Sequence, residues 1–346
     1  MSLTTFDAIL DQSAPLAWLT RAYSTDHLPH GLVFAGPPGV GKATTARALA
    51  TLFLCERPAG TTPCGRCDSC RLMSAAPPTH PDFATVYRQL IRLDKNKKDA
   101  VAKDLSIHTV RDYLVAPANL KPAMGRGRVF LIEEAHTMNP AAQNALLKTL
   151  EEPFGRTLII LLTDQPDQLL PTIRSRTQLL RFNALDESLV TRELAKRGID
   201  KATAAQAAHF AEGSLGNALQ WLEDGVVPAA QQLHKLLDDL LANRPLATDL
   251  SDWFKSAADA YAKKQQERDP NVSLDQAKRE GLSLYLRLSA QRFRRLLRES
   301  SDAFELDLAC TALESIAQAD DYLDANVNIP LIFQQLAQKL THLPAA

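Results

Sequence analysis

The chain has 346 residues, 45% of them hydrophobic and 23% charged, with 39 Lys and Arg against 40 Asp and Glu for a formal net charge of −1. That length accommodates two or three domains and the apolar fraction suffices for a packed core, while the near-neutral balance excludes an all-over basic nucleic-acid surface and leaves room only for a local basic patch. The longest apolar run, Leu158 to Leu162, is strand-sized, and the opening MSLTTFDAIL has no basic leader before a long apolar stretch. We therefore expect a cytoplasmic protein with no membrane partner.

The first element is a short strand, Leu32–Ala35, followed by Gly36-Pro37-Pro38-Gly39-Val40-Gly41-Lys42-Ala43-Thr44 and a helix. Strand, glycine-rich turn, lysine and helix in that order make a phosphate-binding loop. The glycines allow backbone N–H groups to face phosphate oxygens, the helix N-terminus adds partial positive charge, and Lys42 reaches the outer phosphates. The residue after the lysine should carry a hydroxyl for Mg²⁺, and here it is Ala43. Thr44 has the hydroxyl, but one helical step turns it by roughly 100°.

Next come Cys55, Cys64, Cys67 and Cys70, spaced C-x8-C-x2-C-x2-C, with Pro63, Gly65 and Asp68-Ser69 to turn the chain. Four thiolates in one short loop suit a tetrahedral structural Zn²⁺ with no open position. Free thiols or a redox pair are the competing readings. The fifth cysteine, Cys310, lies in an Ala/Leu-rich stretch and reads as a core thiol.

Strands are expected at Phe83–Tyr87, Val129–Ile132, Thr157–Leu162 and Gln178–Phe182, with helices between most of them. This alternation implies an α/β domain with a mainly parallel sheet covered on both faces. Val129–Ile132 runs into Glu133-Glu134. Acids at that place hold Mg²⁺ and polarise the attacking water, but the usual first acid is Asp, and the extra methylene of Glu133 crowds a metal-bound water. Glu134 keeps the catalytic place in a vestigial or weak form. Solvated loop charge is the plain alternative for the pair. Both Mg²⁺-related departures predict little or no hydrolysis by this chain alone and leave ATP and Mg²⁺ binding open. Asn139 as N-cap and Pro140 at the first position open a helix Ala141–Glu152, with Ala142, Ala145, Leu146, Thr149 and Leu150 on one stripe and Pro153 at its end.

Beyond Phe182 strand signals nearly vanish. Lys263–Ser273, with Asp269-Pro270-Asn271, reads as an exposed loop, and Lys95, Lys97 and Lys98 as part of a mobile one. Arg292, Arg294, Arg295 and Arg298, interleaved with Phe293 and Leu296-Leu297, read as an amphipathic helix whose basic face meets a partner or only water.

Several strings together resemble the bacterial clamp-loader subunits of DNA polymerase III, an AAA+ family. They are the phosphate loop, the cysteine loop directly after its helix, His80-Pro81-Asp82, Ala145–Pro153 (ALLKTLEEP), and Ser175-Arg176-Thr177, which resembles a Ser-Arg-Cys motif with Thr in the Cys place. The resemblance covers about residues 20–225. It implies a RecA-like AAA+ parallel-sheet domain with a zinc-binding insertion (1–182, zinc module 55–70), a small helical lid (183–225) and a C-terminal helical collar (226–346). It makes Arg176 an arginine finger acting in trans on a neighbour's ATP; taken alone, such an arginine reads as a structural salt bridge. Thr163 matches the sensor of the γ-phosphate. Gly213-Ser214-Leu215-Gly216-Asn217-Ala218 resembles the lid motif that supplies a second arginine, with Gly216 at that place. Loss of these cis elements with the trans arginine kept resembles the delta-prime branch of the family. The implied partners are gamma/tau and delta subunits, the sliding clamp and, through the complex, primer-template DNA. An active ATP-hydrolysing motor subunit is the alternative, and a zinc-dependent nucleic-acid-binding module a further one.

Overall fold

The protein is described by a computed structural model covering residues 3–93, 104–242, 244, 249–268, 272–325 and 327–341. It comprises two compact units, Met1–Glu193 with Glu212–Asn217, and Leu194–Ala211 with Ala218–Ala346.

The first unit runs α1 (Ser13–Ser24), β1 (Gly31–Ala35), α2 (Lys42–Leu54), α3 (Asp68–Met73) and β2 (Phe83–Val86). A helical segment follows, α4 (Ile107–Val110) and α5 (Ala116–Ala118) joined by a π-helical stretch, and then β3 (Arg128–Ile132), α6 (Pro140–Glu151), β4 (Thr157–Thr163), α7 (Pro171–Arg174) and β5 (Gln178–Arg181). All five expected strands are present, within a residue or two of the expected ends. They pair in parallel in the order β2-β3-β4-β1-β5. Alternate residues serve opposite faces, as a pleated strand requires. Val33, Phe130, Ile132, Ile159 and Leu161 enter one core with Leu146 and Leu150 of α6. Leu32, Phe34, Val129, Leu131, Leu158 and Ile160 enter the other with Leu49 and Phe53 of α2. Burial on both faces explains why β1 and β4 are buried at every position and apolar apart from the threonines at the two ends of β4.

The register aligns Ala35 with Thr163 and Ile132 with Leu161. The segments after β1, β3 and β4 therefore leave the same carboxyl edge side by side, where open α/β sheets place their ligands. The cap of α6 forms as expected: Asn139 Oδ1 accepts the Ala142 N–H at 2.9 Å and Pro140 opens the helix.

The remaining helices are α8 (Glu187–Lys196), α9 (Lys201–Phe210), α10 (Leu215–Glu223), α11 (Val226–Leu241), α12 (Leu250–Arg268), α13 (Leu274–Glu299), α14 (Ala303–Asp324) and α15 (Ile329–Thr341). In the second unit Trp253 packs edge-on to Phe254 and Tyr285, and Phe254 meets Phe333, tying α12, α13 and α15 together.

Two sequence expectations change here. Lys263–Arg268 is the last turn and a half of α12, because Gln265 and Arg268 bond to the buried Asp224 and extend the helix past the expected loop. Cys310 is exposed, since α14 turns Ala309 and Ala312 inward and leaves the thiol on the other side. Arg292 and Arg295 are engaged within the unit, by Asp238 of α11 at 2.6 Å and by Glu299 at 2.7 Å. Lys95, Lys97, Lys98 and Asp269-Pro270-Asn271 lie outside the described residues.

Candidate nucleotide loop, cysteine cluster and surface arginine

Gly36 leaves β1 at φ +154°, so close to the segment after β5 that a Cβ would stand 2.2 Å from the Phe182 carbonyl oxygen. Any side chain there is excluded. The loop that follows carries Gly39 and Gly41 and delivers Lys42 as the first residue of α2. The ammonium of Lys42 is turned back onto its own loop, donating to the carbonyls of Gly36 at 2.5 Å and Pro37 at 2.6 Å. Burial pulls its pKa from 10.5 to about 8, and the carboxylate of Asp164 opposes that shift. Gly39 is engaged as well. Its carbonyl accepts the Gly216 N–H at 3.1 Å. A Cβ on Gly39 would fall 2.1 Å from the Ser214 hydroxyl, and one on Gly216 would fall 3.0 Å from the Gly39 Cα. Gly216 thus permits the N-terminal turn of α10, capped by Ser214 on the Asn217 N–H, to rest directly on the loop.

Ala43 packs against the α2-side core, and Thr44 points to solvent. Across the carboxyl edge, Glu133 stands 3.9 Å from Arg47 of α2; burial raises its pKa, and Arg47 draws it back. Glu134 adopts a left-handed backbone, φ 48°, and its carboxylate accepts from Arg88 at 2.7 Å. The Thr163 hydroxyl accepts the Gln165 N–H at 3.0 Å and lies 3.3 Å from His136 Nδ1, which is 3.1 Å from Asp164. The fold therefore brings Gly36, Gly39, Gly41, Lys42, Glu133, Glu134 and Thr163 to one edge. Each charged member there faces a group of this same chain.

The cysteine loop leaves the other end of α2. Cys55, Cys64, Cys67 and Cys70 have all four sulfurs within 4.8 Å of one another, with Cys55 and Cys67 at 4.0 Å. Four sulfurs about 2.3 Å from one ion would lie about 3.8 Å apart, so the set could hold a metal ion after a small contraction. Backbone N–H groups support the sulfurs: that of Cys64 points to Cys55 at 3.2 Å and that of Cys70 to Cys67 at 3.5 Å. The Arg66 and Cys67 amides hold the Cys64 thiol down at about 6, whereas burial pushes Cys55 and Cys70 up. Cys55, Cys67 and Cys70 are buried and Cys64 is half-buried, so the cluster is also a small core of its own.

Arg176 follows α7 with 37% of its side chain exposed. Its Nε donates to Glu151 Oε1 at 2.6 Å, and one terminal nitrogen donates to the Thr172 carbonyl at 3.1 Å and the Ser175 hydroxyl at 3.2 Å. The ion pair and the surface position coexist.

Several polar residues that organise this unit lie outside every apolar pattern. Asp82, of the His-Pro-Asp turn, is buried and accepts the Ala123 and Met124 N–H groups at 2.7 and 2.8 Å, with Arg128 3.7 Å away. Gln143 is buried on α6, donates to the Met138 carbonyl at 3.0 Å and accepts the Leu170 N–H at 2.7 Å, bracing the segment between β4 and α7. The pairing of Gln12 with Asn183, at 2.8 and 3.1 Å, fastens the start of α1 to the segment after β5. Helical periodicity counts apolar side chains, and only the turn residues around these positions hinted at them.

A family model described as DNA polymerase III, delta subunit, matches residues 11–186. The chain is 40% identical over 147 residues to the delta' subunit of DNA polymerase III of Pseudomonas aeruginosa, covering 42% of this chain and 41% of that one. It is 35% identical over 161 residues to the Escherichia coli delta' subunit, covering 46% and 44%. To the Escherichia coli tau subunit it is 32% identical over 235 residues, covering 66% of this chain and 34% of that one. The chain thus spans less than half the length of these relatives.

Proposed function

The chain belongs to the DNA polymerase III delta-subunit family, and from that membership we propose that it is a delta-prime-type clamp-loader subunit that hydrolyses little ATP itself and lends Arg176 to a neighbour. The observation carrying this reading is a contrast within one sheet domain. The cis loop is closed on itself, with Lys42 bonded to Gly36 and Pro37 and Gly39 bonded to Gly216. Arg176 meanwhile sits at the surface. A phosphoryl group needs Mg²⁺ and cations arrayed around its oxygens. Here Ala43 offers no hydroxyl, and Glu133 and Glu134 already face Arg47 and Arg88. A guanidinium, by contrast, can stabilise charge on a transferring phosphoryl group from across a subunit boundary.

In this reading residues 1–182 form the AAA+ domain, 183–225 the lid and 226–346 a collar that joins the ring. Cys55, Cys64, Cys67 and Cys70 hold a structural Zn²⁺, whose contribution is to cross-link the loop after α2. Partners are gamma/tau and delta subunits, the sliding clamp and primer-template DNA through the assembled machine, acting in the cytoplasm. Among the described residues no helix is long and apolar enough to cross a membrane.

ATP turnover by the purified chain, alone and as Ala43→Thr, tests the cis half; substantial wild-type turnover ends the non-hydrolysing reading. The alternative is an active motor subunit, to which the 32% identity with a tau subunit over 66% of this chain relates, and that outcome would establish it; the higher identities to delta' subunits favour the non-hydrolysing reading. Arg176→Ala in a reconstituted loader tests the trans half. Turnover should fall about 10³-fold or more with assembly intact; lost assembly with normal turnover of what remains would count against a finger.

A further inference from the structure

We infer that Glu151 is the positioning residue of Arg176, fixing the guanidinium in its exposed pose before a neighbour arrives; this rests on the trans-finger reading above. Glu151 is the last residue of α6. A carboxylate there opposes the partial negative charge of the helix C-terminus, so local preference argues against it. The ALLKTLEEP string nonetheless places it there, and its use is visible in the contacts. Oε1 of Glu151 receives Nε of Arg176 at 2.6 Å and a terminal nitrogen at 2.5 Å. The other terminal nitrogen is held from the opposite side by the Thr172 carbonyl and the Ser175 hydroxyl.

Both supports are themselves anchored. The ring of His30, just before β1, bonds the Leu150 carbonyl at 2.6 Å and pins the end of α6 to the sheet. On the other side the Thr177 hydroxyl bonds the Ile173 carbonyl at 2.9 Å, and the Arg176 N–H bonds the same oxygen at 3.1 Å, closing the α7 turn. A guanidinium has five N–H donors. Nε and both terminal nitrogens are engaged, yet the head stays more than a third exposed and keeps a donor for an incoming anion. A long arginine free in water would have to be ordered during the reaction; held by Glu151, it is ordered beforehand.

The test uses the reconstituted loader and reads kcat and KM for ATP separately. Glu151→Gln keeps the size and one acceptor oxygen but loses the charge. It should lower kcat roughly tenfold while leaving KM unchanged, since the neighbour's ground-state nucleotide contacts are untouched. Glu151→Asp should recover part of the loss. Glu151→Gln combined with Arg176→Ala should cost no more than Arg176→Ala alone, as expected for groups acting through one another. Turnover measured at saturating subunit separates these effects from weakened assembly, and melting of the free chain separates them from misfolding. If Arg176→Ala leaves turnover intact, the finger reading falls and this inference with it. If Arg176→Ala lowers turnover but Glu151→Gln leaves kcat unchanged or raises it, Glu151 does not position the finger and only this inference is overturned.

Discussion

The two ends of α2 carry two loops of opposite character. After its C-terminus the cysteine loop is self-sufficient. Four cysteines lie within sixteen residues, their sulfurs converge within 4.8 Å, and the backbone N–H groups that steady them come from the same stretch. Before its N-terminus the glycine-rich loop carries its glycines and its lysine, but its state is set by distant partners: Asp164 beside β4, Phe182 after β5, and Ser214 and Gly216 at the start of α10. Four convergent donors close in sequence form a site by themselves. A retained loop shape specifies only a backbone, whose use depends on what the rest of the chain puts against it.

The sharpest way to break this comparison is at the cysteines. Cys67→Ser should abolish stoichiometric metal in native mass spectrometry and cost about 3 kcal/mol or more, with amide exchange of residues 55–73 rising most. No metal in the wild type and unchanged melting in the variant would make the cluster an ordinary thiol core. At the other end, Gly39→Ala forces a side chain into φ +71° and toward the Ser214 hydroxyl. We expect a loss of about 2–3 kcal/mol by denaturant titration, with local opening of 212–217. A neutral result would mean the α10 turn does not rest on the loop.

A subtler effect comes from Lys42. Its folded pKa of about 8 lies below its ordinary 10.5 because burial penalises the ammonium. Between these values the unfolded chain still holds a proton that the folded chain has released, so stability from this group rises as pH climbs from about 8 to 10.5. Below 8 both states are protonated and the penalty is fully present. Lys42→Met should remove that part of the slope, and identical pH profiles for the two proteins would show the lysine to be freely solvated. Smallest of all, Thr44→Val should shift stability by no more than about 0.5 kcal/mol, because the hydroxyl faces solvent. A larger loss would mean the loop uses that oxygen after all.

Much of this molecule could be read along the chain. The five strands, the Asn139-Pro140 start of α6, the phosphate-loop outline and the cysteine spacing are encoded in local periodicity, capping chemistry and short-range spacing, which the backbone expresses wherever it sits. The misreadings have equally physical causes. The composition of Lys263–Arg268 suggested a loop, but bonds to Asp224 from Gln265 and Arg268 carried the helix onward. The environment of Cys310 was apolar in sequence but not in space, since a helix hides only one of its faces. The strand order β2-β3-β4-β1-β5, the engagement of Lys42 by its own loop, the Arg88–Glu134 pair, and the grip of Glu151 on Arg176 lay beyond linear reading. Most of these join residues tens of positions or more apart, and a side chain's charge, exposure and partner follow from which neighbours folding delivers to it.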